Sequence, residues 1–495
     1  MTVARLTLDP AFVVGPVDRR LFGSFVEHMG RCVYTGVFEP GHPRADAGGL
    51  RTDVLDLVRE LGVTTVRYPG GNFVSAYRWE DGVGPAGDRP RRLDLAWRTL
   101  ESNAFGLNEF MRWAGLAGAE PMMAVNLGTR GPAEAAELVE YCNLDAGTAA
   151  ADLRREHGVA RPHDIRLWCL GNEMDGPWQI GSRTAEEYGR IAARAGHAMK
   201  RVDPGIELVA CGSSDAGMPT FAAWEATVLE HAYDQVDYLS LHAYYDPEQY
   251  DEASFRASAV HLDASIDAVL ATADHVRAKL RRTKRINLAL DEWNVWYKSR
   301  HVEPENRGIE DNPALIEDDF TVTDAMVVGN LLISMLRHAD RLTVGCQAQL
   351  VNIIAPIRTL PGGPAWRQTI FHPFARTARL ARGTVLRPAL TAPPMTTGRY
   401  GDVPAVDAVA TLDGRDLTVF AVNRGTEPIP LRLDLRAFGV LRPGEHLVLA
   451  NADPHLTNTA DNPDRVTLAV RPGGTEVLMP PVSWHALSYV LMREA

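Results

Sequence analysis

A chain of 495 residues is too long for one ordinary hydrophobic core, so two domains are expected. The net charge of -12 and the lack of a basic run argue against nucleic acid or an anionic membrane surface as a partner. The apolar stretches are too short to span a bilayer, and the N-terminal segment lacks a signal-peptide core, so we expect a cytoplasmic protein.

The first residues, VARLTLDP, alternate in polarity and predict a strand. We expect this strand to join an all-β domain at the other end of the chain, so residues 1–18 are assigned to that domain. The main part of the chain, 19–385, carries a different pattern.

Eight short apolar runs alternate with amphipathic helical patterns between about residues 20 and 385. Several runs are apolar at consecutive positions, which suits strands that are buried on both faces of a parallel sheet. The runs are LFGSFVEH (21–28), TTVRYPG (64–70), PMMAVNL (121–127), DIRLWCLGNE (164–173), IELVACG (206–212), VDYLSLHAYY (236–245), INLALDE (286–292) and LTVGCQAQLVN (342–352). Eight such units predict a (β/α)8 (TIM) barrel. A doubly wound open sheet is the alternative, but it usually has fewer units and a phosphate-binding glycine motif, which the sequence lacks.

The helical periodicity stops after about residue 386, next to the proline-rich segment LRPALTAPPM. VDAVATL-DG-RDLTVFAVN predicts a hairpin with Asp413 and Gly414 in its turn. Four later runs continue with period-two alternation. Residues 386–495 are therefore predicted to form a β-sandwich of jelly-roll type.

Polar side chains stand where the predicted barrel strands end, and the active site of such a barrel is built at this end. Carboxylates, amides and aromatic groups dominate, a set that suits sugar hydroxyls and sugar faces. They are Glu27, His28, Arg67, Gly70, Gly71, Asn72, Asn126, Asn172, Glu173, His242, Tyr244, Asp291, Glu292, Gln349 and Asn352.

Two of these carboxylates, Glu173 after the fourth strand and Glu292 on the seventh, would face each other across the barrel mouth. Retaining glycosidases need two carboxyl groups about 5–5.5 Å apart, one as acid/base and one as nucleophile. A surface or capping role is the alternative for either glutamate alone. Strand alternation cannot decide whether Asp291 or Glu292 points inward.

The segments LGNEMDGPWQIG and LALDEWNVWY resemble the acid/base and nucleophile segments of clan A glycoside hydrolases. The chain more closely resembles the α-L-arabinofuranosidases of glycoside hydrolase family 51. FGSFVEHMGRCVYTGVFEP, VRYPGGNFVSAYRWEDGVGP, NEFMRWAG, SLHAYY and AQLVN stand in that family's order and at its spacing.

The resemblance implies Glu173 as acid/base and Glu292 as nucleophile. It also implies sugar contacts from Glu27, Asn72, Asn172, Tyr244 and Gln349. Gly70 and Gly71 lack side chains, which would let a ligand approach the backbone. Tyr244 is expected to hydrogen-bond the nucleophile, and Arg67 to pair with a carboxylate.

Three tryptophans, Trp178, Trp293 and Trp296, lie just beyond the catalytic segments, where either sugar stacking or packing would explain them. Trp178, Trp296 and His242 are assigned to substrate binding, and we expect His242 to be neutral and bonded to a carboxylate. His28 and His242 lack the spacing of a metal site, and the five scattered cysteines lack CxxC, so no metal is predicted.

These observations predict a retaining, exo-acting α-L-arabinofuranosidase that needs no cofactor and acts on arabino-oligosaccharides. The resemblance implies a homo-oligomer, often a hexamer. The alternatives are an endo-glucanase or galactofuranosidase on the same barrel, a metal-dependent barrel hydrolase, and a non-catalytic sugar-binding protein.

Overall fold

The computed structural model describes residues 3–492, so residues 1–2 and 493–495 of the predicted domains lie outside the described part. The strands are β1 (Ala4–Thr7), β2 (Val13–Pro16), β3 (Gly23–Phe25), β4 (Thr65–Tyr68), β5 (Arg92–Leu93), β6 (Leu100–Glu101), β7 (Glu120–Ala124), β8 (Leu167–Leu170), β9 (Glu207–Ala210), β10 (Tyr238–Tyr245), β11 (Asn287–Val295), β12 (Leu342–Gln347), β13 (Ile357–Thr359), β14 (Ala365–Arg367), β15 (Thr384–Leu386), β16 (Ala389–Thr391), β17 (Pro394–Thr397), β18 (Gly401–Pro404), β19 (Val406–Asp413), β20 (Asp416–Asn423), β21 (Ile429–Asp434), β22 (Leu441–Leu449), β23 (Ala469–Pro472), β24 (Glu476–Met479) and β25 (Ser483–Leu491). The helices are α1 (Thr52–Leu61), α2 (Leu107–Ala117), α3 (Pro132–Asn143), α4 (Ala149–Glu156), α5 (Ala185–Val202), α6 (Ala223–Ala232), α7 (Glu252–Arg256), α8 (Ser258–Lys279), α9 (Val322–Arg337) and α10 (Phe371–Leu380).

Strands β3, β4 and β7 to β12 form a closed parallel barrel, in sequence order around the ring. Each of the eight predicted apolar runs overlaps one of these strands; β7 begins one residue before its run and β11 ends three residues after its run. All four residues of β8 (LWCL) are buried, as expected for a strand packed on both faces. The prediction of a (β/α)8 barrel followed by a β-sandwich is confirmed.

Two sheets make up the sandwich, one of seven strands in the order β2-β15-β19-β20-β25-β22-β23 and one of four in the order β16-β1-β21-β24. Strand β1 pairs with β21 and β16, and β2 pairs with β15. Leu6, Leu431 and Leu487 belong to one buried cluster between the sheets. The predicted β19–β20 hairpin forms, but Asp413 pairs with Asp416, so its two turn residues are Gly414 and Arg415, one position later than expected.

The barrel and the sandwich meet along α9, which packs on β19, β20 and β25. Gly329 of α9 lies against the buried ring of Trp484, because a β-carbon at this position would stand 2.2 Å from the indole. A buried ion cluster crosses the same contact: Asp407 of β19 accepts from Arg424 and from Arg337 of α9.

Two local features, a short hairpin and a bulge in a barrel strand, depart from the regular strand-helix pattern of the barrel. The β5–β6 hairpin, which the sequence did not predict, stands between β4 and α2. Strand β11 carries a bulge, since Ser240 pairs with Ala289 while His242 pairs with Glu292.

No helix among the described residues is long and apolar enough to cross a membrane.

Candidate active site

A cavity of about 350 Å³ opens at the carboxyl ends of the barrel strands. Eight of the ten predicted catalytic and binding residues line it, namely Glu27, Asn72, Glu173, Trp178, Tyr244, Glu292, Trp296 and Gln349. Asn172 and His242 are buried and lie behind the lining residues. The predicted residues therefore belong to one site, in which eight line the cavity and two lie behind it.

The carboxyl groups of Glu173 and Glu292 lie next to each other. One oxygen of each, together with a ring nitrogen of His242, lie within 4.8 Å of one another. Glu173 follows β8 with a φ of 43°, a left-handed conformation that is uncommon for glutamate. Such a conformation persists only where the surroundings hold it, and it tends to occur at functional sites.

Glu292 has two strong hydrogen-bond donors. Arg67 Nη1 donates to its Oε1 at 2.7 Å, and the Tyr244 hydroxyl donates to its Oε2 at 2.6 Å. Its neighbour Asp291 does not line the cavity; it lies 3.2 Å from Arg67 Nε and 3.3 Å from His242 Nε2. The bulge in β11 explains why both carboxylates point toward the barrel interior, since a bulge interrupts the alternation of side chains.

The buried charges shift one another's protonation. Burial raises the pKa of Glu292, and Glu173 adds to this rise, whereas His242, Arg67 and Tyr244 oppose it. Burial alone would lower the pKa of His242, but the carboxylates of Glu292, Asp291 and Glu173 outweigh it and raise that pKa well above its usual range. The three neighbouring carboxylates therefore favour the protonated ring of His242, whereas the sequence led us to expect a neutral one.

Glu27 is the third buried carboxylate of the cavity. It accepts from the Phe73 amide at 2.9 Å, from Trp97 Nε1 at 2.9 Å and from Gln349 Nε2 at 2.8 Å. Burial raises the pKa of Glu27 to about 8, although the first two donors oppose this rise.

Gly70 and Gly71 make room for Glu27. A β-carbon on Gly70 would stand 2.3 Å from Glu27 Cγ, and one on Gly71 would stand 2.8 Å from Glu27 Oε2. The expectation that these glycines open the backbone to a ligand is therefore corrected, because the Glu27 side chain fills the space.

A hydrogen-bonded chain of amides fixes one side of the site. Arg67 Nη2 donates to Asn172 Oδ1 at 2.7 Å, and Asn172 Nδ2 donates to Asn72 Oδ1 at 3.1 Å. Asn72 therefore presents its amide nitrogen toward the cavity that it lines.

The three tryptophans have different surroundings. Trp178 is 51% exposed, and its indole N–H donates to Glu173 Oε2 at 2.7 Å. Trp296 packs edge-on against Tyr244 with 5.4 Å between ring centroids. Trp293 is fully buried and stacks on Phe374, so packing explains it.

Several cavity-lining residues were missed by sequence reasoning, and Trp97 and Lys298 are two of them. Trp97 lies in the β5–β6 hairpin and bonds Glu27, while Lys298 places its ammonium 5.4 Å from the centroid of the Trp296 ring. Both lie in loops without periodicity, so only their residue types could have drawn attention to them. His28, in contrast, is buried outside the cavity between Glu101 and Tyr68.

Glu173, His242 and Glu292 have a spacing that could hold a metal ion. Each of these groups nevertheless has a charged or hydrogen-bonded partner, and the Arg67 guanidinium bonded to Glu292 would repel a cation. The absence of a metal stays a prediction.

A parallel barrel with two adjacent carboxylates at the carboxyl ends of its strands is the arrangement that retaining glycoside hydrolases use. Two family models match the chain: the α-L-arabinofuranosidase 1 domain over residues 57–260 and the α-L-arabinofuranosidase C-terminal domain over residues 291–483.

Individual relatives cover nearly the whole chain. An intracellular exo-α-(1→5)-L-arabinofuranosidase of Streptomyces lividans is 57% identical over 98% of this chain and 75% of its own. An exo-α-(1→6)-L-arabinofuranosidase of Bifidobacterium longum is 48% identical over 98% and 97%. The solved structure of a family 51 α-L-arabinofuranosidase from Bifidobacterium longum has a TM-score of 0.95 at 47% identity, over 98% and 99% of the two chains. The chain belongs to the α-L-arabinofuranosidases of glycoside hydrolase family 51.

Proposed function

We propose that this protein is an exo-acting α-L-arabinofuranosidase that releases terminal non-reducing α-L-arabinofuranosyl units from arabino-oligosaccharides with retention of configuration. The observation that carries the proposal is the adjacency of Glu173 and Glu292, since one carboxylate oxygen of each lies within 4.8 Å of the other. This closeness fits the roughly 5–5.5 Å of retaining enzymes and leaves no room for the water that inverting enzymes place between their carboxyl groups.

Glu292 is assigned as the nucleophile because Arg67 and Tyr244 both donate to it and stabilise its ionised form. It attacks the anomeric carbon while Glu173 protonates the departing oxygen. Glu173 then takes a proton from water, and that water releases arabinose from Glu292. The two carboxyl groups supply all of this chemistry, so no cofactor is needed.

The sugar is assigned to the polar wall of the cavity. Glu27, Asn72, Tyr244 and Gln349 line it and offer acceptors and donors for hydroxyl groups. Asn172 and His242 act from behind, since Asn172 orients Asn72 and His242 contacts both catalytic carboxylates. Trp178 and Trp296 are proposed to contact the next sugar.

Exo action is favoured by two loops that meet at the cavity. The Leu100 amide donates to the Glu310 carbonyl at 3.1 Å, and Arg307 donates to the Trp97 carbonyl at 2.9 Å. Residues of both loops line the cavity and bound it on that side. An endo-acting enzyme would need an open groove for a polymer, so an endo-glucanase on the same barrel is disfavoured.

The remaining assignments are proposals that draw on the relatives. The names of relatives include both (1→5) and (1→6) linkages, so the linkage is left open. A cytoplasmic location fits the word intracellular in several of these names. We also propose a homo-oligomer. The predicted division into residues 1–18 and 386–495 for the sandwich and 19–385 for the barrel is proposed with one change: the second boundary lies before Thr384, because all of β15 pairs within the sandwich.

The nucleophile is tested with Glu292→Ala. Turnover of an aryl α-L-arabinofuranoside should fall by at least about 10⁴-fold, since the covalent step is lost. Added azide should restore turnover and give a glycosyl azide of inverted configuration, visible by NMR. Glu186→Ala, which removes an exposed carboxylate of α5, is the control and should turn over normally.

The acid/base is tested with Glu173→Ala, which should damage substrates with poor leaving groups far more than activated aryl substrates. Azide should here give a product of retained configuration. If neither variant responds to azide although both fold normally, the assignment of the pair is wrong.

A further inference from the structure

The two oxygens of Glu173 have different partners. Oε1 accepts from His242 Nδ1 at 2.9 Å, and Oε2 accepts from Trp178 Nε1 at 2.7 Å. His242 is 3% exposed and its other nitrogen faces Asp291, so it is fixed from the barrel side. Trp178 is 51% exposed and lines the cavity, so Oε2 is the oxygen on the open side.

The loop after β8 is built to bring the indole onto this oxygen. The Gly176 amide donates to the Glu173 carbonyl, and a β-carbon on Gly176 would stand 2.5 Å from the Trp178 ring. Gln179 Nε2 donates to the hydroxyl of buried Ser75, which anchors the loop beside the tryptophan. The loop backbone is therefore held in place, while the indole itself stays half exposed.

We propose that Trp178 is a positioning residue whose indole N–H stabilises the ionised state of Glu173 during the water step and releases Oε2 when that oxygen is protonated. This inference rests on the proposed function, because it presumes that Glu173 is the acid/base.

The chemistry explains why one donor should be releasable. In the first step the proton leaves Oε2 for the glycosidic oxygen, the bond from that oxygen to the anomeric carbon breaks, and the carbon bonds to Glu292. In the second step water bonds to the carbon, its proton goes to Oε2, and Glu292 is released. A hydrogen bond to a carboxylate is about twice as strong as one to a neutral acceptor, so the indole contact is strong only in the ionised state.

Other charged groups also face Glu173. They are His242 and Tyr244 on β10, Glu292 on β11 and Asp175 in the turn that follows Glu173. Trp178→Phe leaves all of them in place, since it removes only the indole with its N–H and keeps an aromatic ring at an exposed position.

The test is the pH dependence of kcat/KM with an arabinofuranoside that has a poor leaving group. The alkaline limb of this profile reports loss of the acid in the free enzyme. Without the donor, the protonated acid persists to higher pH, so the limb should move up by about one pH unit in Trp178→Phe. Gly176→Ala, which keeps the indole but displaces it, should move the limb in the same direction.

Trp97→Phe is the matched control, because it removes an indole N–H that serves Glu27 in the same cavity. Its activity should fall while the limb stays in place. A limb that does not move in Trp178→Phe, or that moves down, overturns the inference even if Gly176→Ala fails to fold.

Glu173→Ala separates this failure from that of the proposed function. The alkaline limb must vanish in that variant if Glu173 is the acid. A limb that persists there refutes the acid/base assignment itself, whatever Trp178→Phe does.

Discussion

Single side chains in this site are held by close neighbours, and Glu27 shows how little room they have. Three N–H donors fix its two oxygens, and two consecutive glycines form the wall beside it. The position of Glu27 thus depends on the small size of the two glycines as well as on hydrogen bonds. A methyl group added on the wall side should displace the carboxylate.

Gly70→Ala tests this close packing. Gly70 has a φ of 129°, and its β-carbon would stand 2.3 Å from Glu27 Cγ, so Glu27 must shift. A displacement of about 1 Å can cost about 100-fold in rate, and we expect a loss of that order in kcat/KM. Gly87→Ala is the control, since no atom lies within 4 Å of a β-carbon there and it should act like wild type. Equal kinetics for the two variants would contradict the role given to Gly70.

Residue types at strand ends predicted many of the polar groups that line the cavity, and the resemblance suggested the bond from Tyr244 to Glu292, but most of the other hydrogen bonds among these groups were not predictable. The sequence placed Glu27 and Gln349 at the ends of different strands, and it could not indicate that they share a hydrogen bond. It also missed Trp97 and Lys298, because a loop position carries no periodic signal. The state of His242 depends on three carboxylates from other segments, which no local pattern reveals.

At the scale of elements, the barrel strands were predictable because apolar runs alternate regularly with amphipathic helices. The exception is β11, where the bulge places Asp291 and Glu292 on the same side. Period-two reasoning assumes an unbroken pleat and therefore could not choose between the two carboxylates. The β5–β6 hairpin was missed for a related reason, since its strands have two residues each.

Helix α9 gives a prediction at the same scale. Alanine normally stabilises an exposed helix interior relative to glycine by about 0.5–1 kcal/mol, and Gly115→Ala in α2 should do so because its surroundings are open. Gly329→Ala should instead destabilise the protein by about 1–3 kcal/mol, because its methyl group meets buried Trp484. Urea unfolding of both variants measures the change in the free energy of unfolding. A Gly329→Ala protein more stable than wild type would show that the packing around Trp484 can adjust to the added methyl group.

At the scale of the whole molecule, the contact between the barrel and the sandwich contains a buried carboxylate, Asp407, that accepts hydrogen bonds from two arginines. Asp407 is 6% exposed and also accepts from Asn330 of α9. Arg424 and Arg337 lower its pKa more than burial raises it. This carboxylate therefore adds stability above the unfolded-state pKa of about 3.9, and that stability is lost as the pH falls toward the folded-state value.

Asp407→Asn should therefore destabilise the protein by about 3–5 kcal/mol at neutral pH, because it leaves the buried Arg424 without its carboxylate and takes from Arg337 one of its two, the other being Asp263. Asp434→Asn removes the partner of Arg436 in an exposed pair and should change the melting temperature little. Thermal unfolding at several pH values provides the measurement. The difference in melting temperature between Asp407→Asn and wild type should become smaller below about pH 4. A difference that stays the same at every pH would rule out the Asp407 charge as its source.

The partner strands of β1 have a consequence for synthesis. Ala4 pairs with Leu431, and strand β2 likewise pairs with β15, which is synthesised much later. At ribosomal rates of about 5–20 residues per second, the segment around Ala4 emerges roughly 20–85 seconds before its partner strand. During that interval the nascent chain carries a strand with one apolar face and no partner, while the barrel between the two segments is being made. A chaperone that binds short amphipathic segments would therefore have a target at the start of this chain throughout that interval.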